Sequence, residues 1–386
     1  MQNTFITNIR ISKVRHLEDI NIMLSNVERT HLILTGKNGC GKTSLLEAIR
    51  DFVVERQFMA IQNQEEGHAR HDLAKAYQRR NPDLQEISIG FHGDANNLFD
   101  VTFAYFPAER SNLTVPNAVE AIDIWGKTVI SRNASNDFLK YILNLYVQYL
   151  SAKDTNRPVT EVERYKTWFD RFTQALCEIY DCRDLELKPD MKNLRFLVTL
   201  PRREPFALHE MSDGYKAFIE ILMELLMRFE DGNGIVDYDK SAILVIDEIE
   251  THLHVEMQKR ALPFLTRMFP NVQFIVATHS PFVITSLPNA VVYDLEKHDR
   301  LDNPSYYSYE AVVESFLDTD MYSTEMKRQF ERYKELCFKE RTSEENEEFL
   351  RAKTELELIA PASKELFIAF RTLEQKRKEA NNGQIN

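Results

Sequence analysis

Only four cysteines occur in the 386 residues, and Cys40, Cys177, Cys182 and Cys337 form no CxxC pair and have no histidines beside them at ligand spacing. That excludes a disulfide framework and a cysteine-based structural zinc, and a reduced cytoplasmic setting is expected. No apolar run approaches the roughly 20 residues of a membrane span, and the opening MQNTFITNIR lacks the apolar core of a secretory leader, so no membrane association is expected. Positive charge is outnumbered: 48 Lys and Arg stand against 60 Asp and Glu, a net charge of -12, which disfavours bulk attraction to nucleic acid. Glycine is scarce as well. The chain has 11, yet Gly36, Gly39 and Gly41 fall together. With 43% apolar residues, the chain can bury a substantial core, and its length suggests about two lobes.

FITNIRISKV, DINIML and THLILT read as strands, the last a continuous apolar run. A helix follows in KTSLLEAIRDFVVERQFMAI, with Leu45, Leu46, Ile49, Phe52 and Val53 at helical spacing. GHARHDLAKAYQRRNPD is polar and reads as a surface excursion. EISIGFHGDANNLFDVTFAYFP alternates as two strands paired across a Gly/Asp/Asn turn. From about 134 to 181 the pattern is helical; LRFLVTL is then a strand leading into HEMSDGYKAF and a helix through Phe218 to Phe229. Strand AILVID, another helix and strand QFIVAT complete the alternating part, and a charged helical tail runs from about 308.

Three stretches carry chemistry. TGKNGCGKTS follows an apolar strand, opens a helix and matches G-x-x-x-x-G-K-[ST] at Gly36, Gly41, Lys42 and Thr43. Glycines let successive backbone N–H groups turn inward on phosphate oxygens, so Gly36, Lys37, Asn38, Gly39, Cys40, Gly41, Lys42, Thr43 and Ser44 form the candidate cradle. Lys42 offers a point charge, Thr43 a hydroxyl for Mg²⁺, and the helix its positive end; Cys40 reads as a small filler. In SAILVIDEIETHLH a buried strand ends in two carboxylates: Asp247 as a Mg²⁺ ligand and Glu248 as the group that polarises an attacking water. In QFIVATHSPF a second buried strand ends at Thr278, His279 and Ser280, with His279 placed to sense a terminal phosphate.

Together these stretches resemble the ATP-binding-cassette ATPases of the RecF, SMC and OLD branch over roughly residues 4 to 295. IDEIETHLHVEMQKRALPFLTRMFPNVQFIVATHSP is similar to a bacterial pattern IDEI-x-x-HLHP…FPN-x-QFI-x-TTHSP, with Val255 in place of proline and Ala277 in place of threonine. MSDGYKAF is similar to that group's LSDGYR signature, a variant of LSGGQ. The resemblance implies an α/β fold, an ABC-type P-loop ATPase head with a helical lobe and a charged helical C-terminal tail. It implies ATP and Mg²⁺ as ligands, sandwiched in a homodimer or higher homo-oligomer. Ser212, Asp213 and Gly214 would then face the phosphate held by the other subunit, with Gly214 leaving room and the Asp213 carboxylate turned away to cap the helix. Arg15 matches an arginine that SMC and RecF members place near the nucleotide.

The expected organisation is 1–110 for the first part of the ATPase lobe, 111–200 for a helical subdomain, 201–296 for the rest of the lobe, and 297–386 for a docking or oligomerisation tail. No stretch between glycine loop and signature is long enough for SMC-type coiled-coil arms. The tail shows no strands for a TOPRIM nuclease and no histidine after His298, so effector chemistry is not expected in this chain. The resemblance extends to ATPase subunits of anti-phage systems, such as the Septu and retron-associated proteins. These imply a regulatory ATPase with a separate HNH-type or other nuclease as partner, released by DNA or another phage-derived trigger. The alternative is a RecF-like DNA-binding repair clamp with no nuclease partner.

Overall fold

The computed structural model describes residues 4–62, 86–93, 101–108, 135–155, 158–230, 236–317, 324–339, 341–359 and 364–383. The polar excursion at 67–83 and the rest of the Gly/Asp/Asn turn after Gly93 lie outside the described residues. Two compact units divide the chain, Met1–Val312 and Val313–Asn386.

In the first unit, β1 (Phe5–Val14) pairs antiparallel with β2 (Leu17–Met23) and with β4 (Ile87–His92), giving the order β2-β1-β4. A six-stranded sheet has the order β12-β11-β3-β10-β9-β5. Its strands are β3 (His31–Thr35), β5 (Thr102–Phe106), β9 (Ala242–Ile246), β10 (Val272–Ala277), β11 (Ala290–Asp294) and β12 (Asp299–Asp302). All neighbours are parallel except the edge pair β11–β12. Every residue of β3, β9 and β10 is buried, as expected of parallel strands covered on both faces.

The expected pairing of the strands now seen as β4 and β5 does not form. β4 joins the antiparallel sheet through β1, while β5 pairs in parallel with β9, Phe106 opposite Ile246. Their side-chain patterns explain the separation. Ile87 and Ile89 of β4 are buried with Ser88 exposed between them, which suits a half-solvated sheet; adjacent Phe103 and Ala104 of β5 are both buried, which suits the parallel layer.

Helix α1 (Lys42–Gln62) lays Leu45, Leu46, Ile49, Phe52 and Val53 into the core formed with both sheets. Helices α2 (Ser135–Asp154) and α3 (Val159–Ile179) pack through Phe138, Tyr141, Trp168 and Phe172, with Phe138 and Phe172 ring centroids 5.3 Å apart. A small antiparallel sheet, β6 (Glu186–Asp190), β7 (Arg195–Thr199) and β8 (Phe206–Ala207), leads into α4 (Asp213–Arg228). Helices α5 (Val255–Met268) and α6 (Pro281–Ile284) follow β9 and β10. Strand β12 lies beyond the expected boundary at 296, so the first unit extends past it to Val312.

The second unit is helical: α7 (Thr324–Cys337), α8 (Ser343–Ile359) and α9 (Lys364–Gly383). Tyr333, Leu336, Phe349, Leu356 and Phe370 form its core. The Tyr333 hydroxyl donates to Glu374, which also accepts from Arg377 at 3.0 Å, so the buried carboxylate is satisfied.

Candidate functional site

The sheet order brings the chemistry together. β3, β10 and β9 are adjacent and parallel, with Val276 opposite both Ile33 and Ile246. Three segments distant in sequence therefore leave the sheet side by side: the glycine loop after Thr35, Asp247–Glu248 after Ile246, and Thr278–His279 after Ala277. Loops at the carboxyl ends of parallel strands are where open α/β sheets present their ligand-binding groups.

Gly36, Gly39 and Gly41 have φ values of 130°, 84° and 104°, which L side chains rarely adopt. A Cβ on Gly41 would also stand 2.6 Å from Leu17 Cδ2 and 2.8 Å from His16 Nε2, so the β1–β2 turn presses directly on the loop. The Cys40 sulfur faces Gly36, where a Cβ would lie 2.8 Å away, in keeping with a small filler. Lys42 is 7% exposed, and its Nζ donates to the carbonyls of Gly36 at 2.8 Å and Lys37 at 3.1 Å. Lys37 Nζ reaches outward to Glu296 at 2.8 Å. Asn38 lies in the exposed tip of the loop.

Thr43 Oγ1 donates to Asp247 Oδ2 at 2.7 Å, joining the start of α1 to the end of β9. Burial raises the Asp247 pKa above the ordinary carboxylate value; the Thr43 hydrogen bond and Lys42 oppose this, and Glu248 adds to it. Glu248 has φ 45°, and its Oε2 accepts from Thr251 Oγ1 at 3.2 Å. His279 is half-buried; burial, then the charge of Lys42, lower its pKa from the ordinary imidazole value, and the carboxylates of Glu250, Glu248 and Asp247 oppose the shift. Its Nε2 is buried without a hydrogen-bond partner.

Arg15 sits at φ 55° in the turn between β1 and β2 and donates to Ser44 Oγ at 3.0 Å and Glu47 Oε2 at 2.7 Å. It is thereby tied to the first turn of α1. Ser212 is the N-cap of α4, with φ -65° and ψ 148°, and its side chain makes no capping bond. Asp213 begins the helix; its side chain, and with it the expected cap, lies outside the described residues. Gly214 rests on the loop after β9: a Cβ there would be 2.9 Å from the His252 carbonyl oxygen and 3.1 Å from His254 Cδ2. The sequence reading missed Glu250, whose Oε1 accepts from the His279 backbone N–H at 2.6 Å. Its only signal was a third carboxylate, two residues after Glu248.

The donor set fits a nucleotide with Mg²⁺. A nearly buried ammonium bonded to neutral carbonyls, a hydroxyl and a carboxylate joined at one point, and an imidazole with an orphaned nitrogen match the needs of polyphosphate and a hard cation. Among the described residues no helix is long and apolar enough to cross a membrane.

The chain is similar to several known proteins. The family model described as "AAA domain, putative AbiEii toxin, Type IV TA system" matches residues 123–285, which include Ser212, Asp247 and His279. The chain is 26% identical to the Retron Ec83 probable ATPase of Escherichia coli, across 88% of this chain and 81% of that protein. It is 24% identical to the Septu protein PtuA of Bacillus thuringiensis, across 72% of each. Among solved structures, an Smc head domain bound to the C-terminal domain of ScpA, from Pyrococcus furiosus, aligns with 12% identity and a TM-score of 0.40, covering 78% of this chain and 98% of that one. Over residues 123–285 the chain is similar to the AAA domain model, and over most of its length to the retron and Septu ATPases.

Proposed function

We propose that the chain binds and hydrolyses ATP at a site completed by a second copy of itself, and that the nucleotide state of this homodimer or larger ring controls a separately encoded nuclease in an anti-phage complex. The observation that carries the reading is the convergence of Lys42, Thr43, Asp247 and His279 from three adjacent parallel strands.

Each group has a task its surroundings suit. The loop Gly36–Ser44 presents backbone amides and the start of α1 to phosphate oxygens. Lys42, shielded from water, exchanges its carbonyl partners for phosphate. Thr43 and Asp247 hold Mg²⁺, which when bound neutralises phosphate charge. Glu248, steadied by Thr251, takes a proton from the attacking water. His279, whose Nε2 is buried and unpartnered, offers that nitrogen to the terminal phosphate. Arg15 holds the first turn of α1 through Ser44 and Glu47. Ser212, Asp213 and Gly214 open α4, and the resemblance assigns them to the phosphate bound by the other subunit, with the positive end of that helix favouring the contact.

The similarity to the retron and Septu ATPases supports the defence setting. The helical unit Val313–Asn386 is assigned to docking or oligomerisation. The deciding experiment is purification of the tagged protein from its native locus, with neighbouring genes and ATP, followed by mass spectrometry and an ATPase assay. A stoichiometric nuclease of HNH or other type supports the regulatory reading. A partnerless protein that binds duplex DNA in a salt-dependent way would replace it with the RecF-like clamp.

A further inference from the structure

His279 and the residue after it, Ser280, are both pinned from one short segment, Glu250 to Gln258. The His279 N–H donates to Glu250 Oε1 at 2.6 Å. Next to it, Ser280 Oγ donates to Gln258 Oε1 at 2.6 Å and accepts from the N–H groups of Phe282 and Val283, capping α6. The other end of the Gln258 amide, Nε2, donates to the Leu253 carbonyl at 2.8 Å, and the Leu253 N–H donates to the Glu250 carbonyl at 2.8 Å. The bonds close a circuit: Glu250, His279, Ser280, Gln258, Leu253 and back to Glu250.

Leu253 is buried, and its two chain neighbours, His252 and His254, are the residues that a Cβ on Gly214 would crowd. The start of α4 and the backbone of His279 are therefore connected through the same loop. Close-packed neighbours cannot shift independently, so a displacement at Ser212–Gly214 reaches Leu253 and passes through Gln258 to Ser280.

We propose that Glu250 and Gln258 are positioning residues that hold His279 in place and couple it to the loop supporting the N-terminus of α4. On the ATPase reading above, on which this rests, a phosphate engaged by Ser212–Gly214 of one subunit is thereby sensed at that subunit's own His279. The two ends of the Gln258 amide have fixed roles, acceptor to Ser280 and donor to Leu253. A glutamate in its place keeps the shape and the first bond but loses the second.

The test combines an activity-independent readout with kinetics on the full-length protein. On nucleotide-free protein, Glu250→Ala should speed hydrogen exchange at the His279 amide by about tenfold or more, the scale of a lost charge-assisted hydrogen bond, while Glu250→Gln, which keeps an acceptor, should not. In hydrolysis, Glu250→Ala and Gln258→Glu should each lower kcat about tenfold with KM changed less than about twofold, and neither should add to the loss caused by His279→Ala. Wild-type exchange at His279 in Glu250→Ala overturns the proposal, as does a wild-type kcat for Gln258→Glu, an equal effect on kcat and KM, or a loss additive with His279→Ala. Should the wild-type protein fail to hydrolyse ATP, the ATPase reading falls, and the exchange measurement still decides the positioning of His279. Thermal melts of the near-isosteric Gln258→Glu and Glu250→Gln proteins separate these effects from a failure to fold.

Discussion

The hydroxyl of Thr43 and the carboxylate of Asp247, 204 positions apart in the chain, share one 2.7 Å hydrogen bond. It joins the first turn of α1 to the end of β9 and opposes the burial that raises the Asp247 pKa. Thr43→Val keeps the shape and removes the donor. Nucleotide affinity should fall about tenfold when measured with Mg²⁺, the scale of a charge-assisted hydrogen bond, and change little when measured with a chelator present. Titration of a fluorescent nucleotide under both conditions checks this; equal losses in the two would remove Thr43 from metal binding.

Glu248 leaves the strand end at φ 45°, an unusual conformation for a non-glycine residue, and is steadied by Thr251. Glu248→Gln should bind ATP with near wild-type affinity and hydrolyse it at least about a hundredfold more slowly, as expected for a lost general base. Single-turnover hydrolysis is the measurement. Wild-type turnover would take Glu248 out of the chemistry.

Gly214 has no room for a side chain beside the His252 carbonyl. Gly214→Val should abolish hydrolysis while leaving nucleotide binding by the glycine loop within about twofold, since overpacking acts at the α4 end of the fold. Sharing of the site is tested by mixing inactive Lys42→Ala with Ser212→Tyr, also expected to be inactive, because Ser212 is exposed and a bulky side chain there does not press on the His252 loop. Each mixed dimer regains one intact composite site, so random exchange should restore about a quarter of wild-type activity. No recovery after verified subunit exchange would contradict a site completed in trans.

His31 is buried in β3, and its Nδ1 accepts from the Phe274 N–H at 3.1 Å. Burial, with a smaller contribution from Arg29, lowers its pKa to about 4 from an ordinary 6.5. Above pH 6.5 the imidazole is neutral in folded and unfolded chains, so it adds no pH dependence. Between pH 6.5 and 4 the unfolded chain binds a proton that the folded one refuses, and stability falls as pH drops, by roughly 3 kcal/mol over the window. Urea denaturation at several pH values should show this slope in the wild type and a flatter one in His31→Asn, which keeps an acceptor for Phe274. Parallel profiles would assign the acid sensitivity elsewhere.

Much of the site was legible because its chemistry is local in sequence. Three glycines in six positions between an apolar strand and a helix announce a loop of positive-φ backbone, the shape a phosphate cradle needs, and all three take such φ values. Apolar runs without alternation, ILVI and FIVA, announced strands covered on both faces. The partners of β4 and β5 were not legible: two short neighbouring strands look like a hairpin in sequence, and which sheet takes each depends on surfaces supplied by β1 and β9. Gln258 carried no signal either, because an amide on a helix reads as solvated surface until Ser280 and Leu253 are placed at its two ends.

What the sequence by itself determined is the set of groups: an ammonium, a hydroxyl, paired carboxylates and a histidine, each at the end of a predictable strand or start of a helix. Hydrogen bonding and side-chain periodicity act over a few residues, so such local outcomes are written locally. Tertiary structure alone decided that β10 lies between β3 and β9, that Thr43 meets Asp247, and that Glu250 meets His279. Strand order is settled by burying both faces of every central strand at once, a condition on the whole sheet that no single segment can satisfy or reveal.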